Sequence, residues 1–179
     1  GYITVGLDHY ALAADELNLA LNQHNLHRNF QGYCTRRTTG QVYAFGVSSI
    51  SQLEKAYIQN VKELDVYIEM INKGILPVEK GLILSIEQII VREAITEIMC
   101  NQKLNLVDLA NKYAIGIEEL KEITGFQEEK LEDFIADNLM SFSNSEILVT
   151  ELGSLFIRNI AASLDPAYKE QLNKYSKTV

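Results

Sequence analysis

The residues best suited to chemistry lie in one segment, residues 26–51, which reads LHRNFQGYCTRRTTGQVYAFGVSSIS. It carries Arg28, Arg36 and Arg37, and no Asp or Glu occurs between Glu16 and Glu54. Guanidinium groups bind carboxylates and phosphates through paired hydrogen bonds. In a chain of net charge −8, such a local basic segment indicates an anionic small molecule more than a nucleic acid. A solvated loop that binds nothing is the equally weighted alternative.

Cysteine chemistry is restricted to Cys34 and Cys100, which have no metal-ligand spacing between them or to a histidine. Two ordinary thiols are typical of a reduced compartment, so we predict a cytoplasmic protein. No apolar run approaches the ~20 residues that a membrane-spanning helix needs, so we predict no membrane span. We expect Cys100, inside an apolar helix, to be a small buried hydrophobe.

The chain begins with GYITVGLDHY, which indicates a strand over residues 2–7 and contains no basic region typical of a secretory signal. Because no Met precedes this strand, we expect the chain to be a fragment of a longer protein. His9 follows the strand, and two interpretations stay open for it. Its ring either faces a cavity or is held by Asp8 or a backbone carbonyl.

Helical periodicity is the main signal beyond residue 51. Apolar residues three and four apart predict a helix from Ser51 to Gly74, and KGILPVEKGLIL is the best candidate for a domain boundary. Ser85 and Gln88 form a capping box that predicts the start of the longest buried helix.

The last part of the chain predicts shorter helices over residues 107–113, 117–124 and 128–138, then two strands around the turn SNSE. Thr150 is expected to cap a helix through Leu164, and Asp165-Pro166 to start a tail helix. This is a winged-helix-like order. The segments GIEELKEITG and QEEKLEDFIAD are acidic where a DNA-binding module needs Lys and Arg, so we expect a structural or lid-like helical domain and no nucleic-acid partner.

Six blocks, taken together, resemble a known enzyme family. GYITVGLDHYA, LHRNFQGYCT, AFGVSSIS, YIQNVKEL, EIMCNQKL and VTELGSLFIRNIAASLD occur in this order along the whole chain. They resemble the C-terminal part of oxygen-independent coproporphyrinogen III oxidase, also called coproporphyrinogen dehydrogenase, a radical S-adenosylmethionine (SAM) family of haem biosynthesis.

The resemblance implies an oxidative decarboxylation. In that family a [4Fe–4S] cluster cleaves SAM, and the resulting 5′-deoxyadenosyl radical takes hydrogen from a propionate side chain of coproporphyrinogen III. Carbon dioxide leaves, and two rounds yield protoporphyrinogen IX. The CxxxCxxC motif that holds the cluster is absent from this chain, so the resemblance implies an enzyme for the parent protein and no activity for this chain alone.

The resemblance also implies site residues. Phe30 and Gln31 are similar to residues that line a second SAM site, and Ile50 is similar to a residue that packs on the first cosubstrate. Independently, we predict that Arg28, Arg36 and Arg37 pair with substrate carboxylates. Ordinary core or strand packing is the alternative for Phe30, Gln31 and Ile50.

We therefore predict an α+β, mostly helical fold. Residues 1–60 would be the C-terminal edge of a partial (β/α) barrel, residues 61–77 a connecting helix and linker, and residues 78–179 a helical, winged-helix-like cap domain. Apolar strand edges cut from such a barrel would favour dimers, strand pairing or a helical rearrangement of the fragment. The rival functions are a haem chaperone related to the oxidase, and a winged-helix interaction module without a tetrapyrrole.

Overall fold

The structure, a computed structural model, describes residues 1–29, 32–35 and 41–168. The described strands form four antiparallel sheets of two or three strands each. The first strand predicted from the sequence is confirmed: β1 (Tyr2–Gly6) pairs with β2 (His9–Leu12) in a hairpin. Helix α1 (Glu16–Asn22) follows, and the Asp15 carboxylate caps it by accepting a hydrogen bond from the Leu17 amide at 2.8 Å.

Two further sheets follow α1. Strands β3 (Leu26–Arg28) and β4 (Tyr33–Thr35) form a two-stranded ribbon. Strands β5 (Ile50–Gln52), β6 (Ala56–Asn60) and β7 (Val78–Ile83) form a sheet in that order, and helix α2 (Leu64–Asn72) lies between β6 and β7 in the chain.

The helix predicted from Ser51 to Gly74 is wrong in its first half. That half contains β5 and β6, and only α2 is helical. The segment AYIQN has hydrogen-bonded neighbours on both sides, β5 and β7. Backbone pairing with β7, a strand distant in sequence, therefore overrides the local helical spacing of apolar residues.

Helix α3 (Ile86–Asn101) is the longest described helix and begins at the predicted capping box. The Gln88 amide donates to the Ser85 hydroxyl at 3.3 Å, and the Gln88 side chain accepts from the Ser85 amide at 3.0 Å. Ile90, Ala94 and Ile98 are at most 1% exposed along one face of α3. This face contacts elements on both sides of it in the chain, including β3.

The remaining elements follow the order predicted from the sequence, except that β8 (Lys103–Asn105) was not predicted and that two of the predicted helices begin with a 3₁₀ turn. They are β8 (Lys103–Asn105), α4 (Leu106–Lys112), α5 (Ile117–Thr124), a 3₁₀ turn (Glu128–Leu131), α6 (Glu132–Ala136), β9 (Met140–Ser143), β10 (Glu146–Val149), a second 3₁₀ turn (Gly153–Phe156) and α7 (Ile157–Ala162). Strand β10 lies between β8 and β9. The expected tail helix lies mostly outside the described residues.

The mixed helix and sheet composition is as predicted. All described strand pairs are antiparallel, and the described residues form no closed barrel. The barrel edge predicted for residues 1–60 stays a prediction. Strand β7 pairs with β6 across the predicted linker, and the division into domains stays a prediction. None of the described helices has the length and apolar character needed to cross a bilayer.

Candidate functional site

Tyr33 is a buried residue beside the candidate site. It lies on β4, is 7% exposed, and its hydroxyl donates to the Met99 carbonyl on α3 at 3.1 Å. Burial raises the pKa of Tyr33 to about 12, although the nearby positive charge of Arg28 acts in the opposite direction. The phenol is therefore neutral at physiological pH and connects the β3–β4 ribbon to the main helix.

His9 lies against Tyr33 on one side. The two rings meet edge to face with centroids 5.1 Å apart, and His9 Nδ1 is 3.0 Å from Asp8 Oδ1. A backbone hydrogen bond and the hydrogen bond to His9 lower the pKa of Asp8. Of the two interpretations left open for His9, the structure thus shows the contact with Asp8.

Gly32 closes the other side of the His9 ring. A Cβ at Gly32 would lie 2.4 Å from His9 Nε2, and the backbone φ of +146° is one that other residues rarely adopt. Both the close approach of His9 and the backbone conformation therefore require glycine at this position. The flanking Asn29 and Gly32 also exchange two hydrogen bonds, from Asn29 N to Gly32 O at 3.0 Å and from Gly32 N to Asn29 Oδ1 at 3.2 Å.

Arg28 is directly opposite Tyr33 in the β3–β4 register. Its guanidinium carbon is 5.6 Å from the centroid of the Tyr33 ring, which is a cation–π contact. Its Nε atom is buried and has no hydrogen-bond partner among the described residues. Within those residues no carboxylate forms an ion pair with Arg28.

Arg92 brings a second guanidinium to the same region from α3. Its Nη1 donates to the Leu53 carbonyl at 3.2 Å and its Nη2 to the Glu54 carbonyl at 2.6 Å. The guanidinium carbon is 5.7 Å from the Tyr57 ring centroid. These contacts attach α3 to the loop between β5 and β6 and leave three of the five N–H groups for other partners.

A cavity of about 300 Å³ lies between these elements. Its lining contains two arginines, and no Asp or Glu: Arg28, Asn29, Gln52, Tyr57, Arg92, Ile95, Thr96 and Met99. We call it the basic cavity. Its surface offers positive charge from two directions and an apolar wall from Tyr57, Ile95 and Met99, which suits an anionic group on an apolar stem.

The structure places only part of the predicted site. Ile50 is half-buried on β5, two residues before Gln52, so both side chains project from the same face of that strand. Gln52 lines the basic cavity. Phe30, Gln31, Arg36 and Arg37 lie outside the described residues, although Phe30 and Gln31 directly follow Asn29 in the chain.

Sequence reasoning missed Arg92. It is the sole Lys or Arg within α3, whose other charged residues are glutamates, and that contrast was the available signal. The residue lies far from the acid-free segment in sequence, and only the packing of α3 beside β3 brings it to the basic cavity.

The cysteines do not fit an iron–sulfur cluster. Cys34 is half-buried, which raises its pKa, and Cys100 is 1% exposed within α3. Across residues 1–29, 32–35 and 41–168, no three His, Cys, Asp or Glu side chains are grouped so that they could hold a metal ion. With two cysteines in the whole sequence, this chain cannot supply the three thiolates of a CxxxCxxC cluster site.

Comparisons with known proteins identify homologues along almost the whole chain. This chain is 37% identical over 166 residues to the oxygen-independent coproporphyrinogen III oxidase of Synechocystis sp. The alignment covers 92% of this chain and 35% of the relative. The enzyme of the same name from Helicobacter pylori is 36% identical over 180 residues, which covers 99% of this chain and 38% of the relative. No protein-family model matches.

A solved structure agrees with these relatives. Coproporphyrinogen III oxidase from Escherichia coli, described as a radical SAM enzyme, superposes with a TM-score of 0.82 at 31% identity, covering 93% of this chain and 37% of that one. The resemblance predicted from the six sequence blocks is thereby confirmed. The chain spans little more than a third of the length of these relatives.

Proposed function

We propose that this chain, a homologue of oxygen-independent coproporphyrinogen III oxidases, is the C-terminal part of such an enzyme. The observation that carries the proposal is homology over 92% of the chain combined with the match in fold. The protein that contains it would oxidatively decarboxylate coproporphyrinogen III to protoporphyrinogen IX with SAM, without oxygen. The names of the relatives favour this function over the haem-chaperone alternative.

The cofactors divide between this chain and the rest of the proposed enzyme. The cysteines of this chain do not fit the [4Fe–4S] cluster, so its ligands would come from elsewhere, and this chain alone would be inactive. SAM fits better, because the partly exposed Ile50 lies on the same face of β5 as Gln52, which lines the basic cavity. We propose that Ile50, Phe30 and Gln31 contact SAM molecules, as the family resemblance implies.

The substrate assignment rests on charge. Coproporphyrinogen III carries four carboxylates, and we propose Arg28, Arg36 and Arg37 as residues that pair with them. The support from the described residues is the guanidinium of Arg28, which lines the basic cavity and has no carboxylate partner among them. A cytoplasmic location is part of the same proposal.

The finer fold predictions also stay proposals. The order β8-α4-α5-β9-β10 with β10 between β8 and β9 supports a winged-helix-like cap built on α3. We propose that residues 1–60 form the C-terminal edge of a partial (β/α) barrel, whose remaining strands would belong to the part of the proposed enzyme that lies outside this chain. Residues 61–77 would connect the two regions, and residues 78–179 would form the cap.

An anaerobic assay tests the proposed function. The protein encoded by the complete gene is reconstituted with iron and sulfide, reduced, and supplied with coproporphyrinogen III and SAM. We expect protoporphyrinogen IX with methionine and 5′-deoxyadenosine, all of which chromatography quantifies after quenching. SAM cleavage without decarboxylation, or haem binding in place of turnover, would contradict the proposal.

A further inference from the structure

The basic cavity has the charge of an anion site. Two guanidiniums line it from different elements, Arg28 from β3 and Arg92 from α3, and its lining contains no acidic side chain. Two like charges that line one small cavity repel each other, and the protein around them screens this repulsion less well than bulk water does. An anion bound between them would remove that repulsion.

The hydrogen-bonding state of the two arginines supports the same reading. Arg28 Nε is buried without a hydrogen-bond partner among the described residues, so a ligand in the cavity would meet the terminal N–H groups of this guanidinium. Arg92 is held in place by the Leu53 and Glu54 carbonyls and keeps three N–H donors. The Thr96 hydroxyl donates to the Arg92 carbonyl at 2.7 Å, so the guanidiniums rather than this hydroxyl are the donors available to a ligand.

The size and wall of the cavity indicate what the anion is attached to. A volume of about 300 Å³ lies at the lower end of small-molecule sites, which span roughly 300–1,000 Å³. A tetrapyrrole cannot enter whole, whereas one carboxylate on a short methylene chain can. Tyr57, Ile95 and Met99 provide the apolar surface that such methylene groups would contact.

We propose that Arg28 and Arg92 together form a carboxylate subsite in the basic cavity, with Arg92 the residue that fixes its geometry. The inference rests on the proposed function, because a propionate of coproporphyrinogen III is the carboxylate that this function brings to the chain. The amino-acid carboxylate of SAM has the same chemistry, and the experiment separates the two. A planar guanidinium presents paired N–H donors to both oxygens of a carboxylate.

The test measures binding to the protein encoded by the complete gene. Coproporphyrin III, the stable oxidised form of the substrate, is titrated by fluorescence beside its tetramethyl ester, which lacks the charges, in the same detergent. SAM affinity is measured anaerobically by equilibrium dialysis. The variants are Arg28→Gln, Arg92→Gln and the double variant. Lys73→Gln is the matched control, because Lys73 is an exposed cation on the surface, paired with Glu69 and absent from the cavity lining.

We expect each single variant to weaken coproporphyrin III binding about tenfold, the factor that about 1.4 kcal/mol represents. Affinity for the ester should stay within about twofold, because the ester cannot use the charges. If both arginines hold one carboxylate, the double variant should lose less than the product of the single losses. Lys73→Gln should change neither affinity.

Arg92 also holds the β5–β6 loop, so a structural effect needs its own readout. A loss that affected the acid and the ester equally would be structural and would overturn the subsite. Arg92→Lys, which keeps the charge but loses the paired donors, should recover part of the affinity for the acid. If Arg92→Gln does not fold, Arg28→Gln and Arg92→Lys give the same comparison.

The remaining outcomes separate the subsite from the proposed function. Weakened SAM binding with unchanged coproporphyrin III binding would support the subsite and assign it to the cosubstrate. Unchanged affinities for both ligands in an enzyme that still decarboxylates coproporphyrinogen III would overturn the subsite alone. Arginine-dependent binding of coproporphyrin III in a protein that cleaves no SAM would support the subsite and contradict the proposed function.

Discussion

The regions on either side of residue 84 differ in how many of their apolar side chains are buried. In the second region, α3 buries Ile90, Ala94 and Ile98, and nearly every later element adds buried apolar side chains. In the first region, α2 has no buried residue and all six residues of β7 are exposed. Both contain apolar side chains at regular spacing, but the second region alone encloses most of them.

The exposed apolar side chains of the first region are concentrated between residues 43 and 83. Phe45 is 88% exposed, Ile83 83% and Leu76 78%, and a largely apolar cavity of about 310 Å³ lies between the loop at Tyr43 and helix α2. We call the exposed apolar side chains between residues 43 and 83, together with this cavity, the apolar face. Large exposed apolar surfaces are typical of contacts with other protein surfaces. Since the relatives are more than twice as long as this chain, we propose that this face is covered by the part of the proposed enzyme that lies outside this chain.

The largest expected contrast is between two isoleucines. Ile98 is 0% exposed and Ile83 is 83% exposed. Ile98→Ala should lower the free energy of unfolding of this chain by about 2–5 kcal/mol, through lost burial and the cavity left behind. Ile83→Ala should change it by less than about 0.5 kcal/mol. Urea unfolding followed by circular dichroism measures both, and equal losses would break the comparison.

Two glycines extend the contrast to the backbone. A Cβ at Gly153 would lie 1.7 Å from the Leu139 carbonyl oxygen, whereas one at Gly81 would lie 3.4 Å from its nearest atom. Gly153→Ala should therefore cost about 1–3 kcal/mol of stability or more. Gly81→Ala should be neutral or slightly stabilising, because alanine suits a strand better than glycine. Thermal unfolding decides, and a stable Gly153→Ala variant would mean that this part of the core is looser than described.

Tyr33 joins the β3–β4 ribbon to α3, and its titration tests that connection. Its pKa of about 12 is higher than the usual 10, so folding favours the protonated phenol. That stabilisation is fully present below pH 10 and is lost as the pH rises through 12. Tyr33→Phe should lower the free energy of unfolding at pH 8 by about 1 kcal/mol, because it removes the hydrogen bond to the Met99 carbonyl.

The same variant should reduce the fall in stability between pH 10 and 12. Part of that fall should persist, because burial and the hydrogen bond to Glu93 also raise the pKa of Tyr113. Unfolding measured at several pH values gives both quantities. If Tyr33→Phe left the stability and its pH dependence unchanged, the phenol would not connect the two regions.

Substitutions on the apolar face are expected to change stability least and self-association most. Leu76→Ser and Ile83→Ser change exposed residues of the apolar face and should alter the free energy of unfolding by less than about 0.5 kcal/mol. They should nevertheless reduce self-association of the isolated chain, which we predict to form oligomers through this face. Light scattering over a concentration series measures this, and a wild-type chain that stays monomeric would contradict the prediction.

Local signals account for what the sequence predicted well. The start of α3 follows from Ser85 and Gln88, and α5 occupies the predicted residues 117–124 because an acidic first turn and Gly125 delimit it. Strand β6 was missed because its apolar spacing also fits a helix, and its pairing with β7 is not visible locally. Arg28 could be predicted because it lies in the acid-free segment. Arg92 could not, because it reaches the basic cavity only when α3 packs beside β3.

Hydrogen–deuterium exchange tests most directly whether the apolar face is completed by the rest of the enzyme. The exchange is measured in this chain alone and in the protein encoded by the complete gene. Mass spectrometry then quantifies deuterium uptake in peptides from α2, β7 and α3. We predict that α2 and β7 exchange rapidly in the isolated chain and slowly in the complete protein, while α3 is protected in both. Equal exchange of α2 and β7 in the two proteins would contradict the proposal that the rest of the enzyme covers this face.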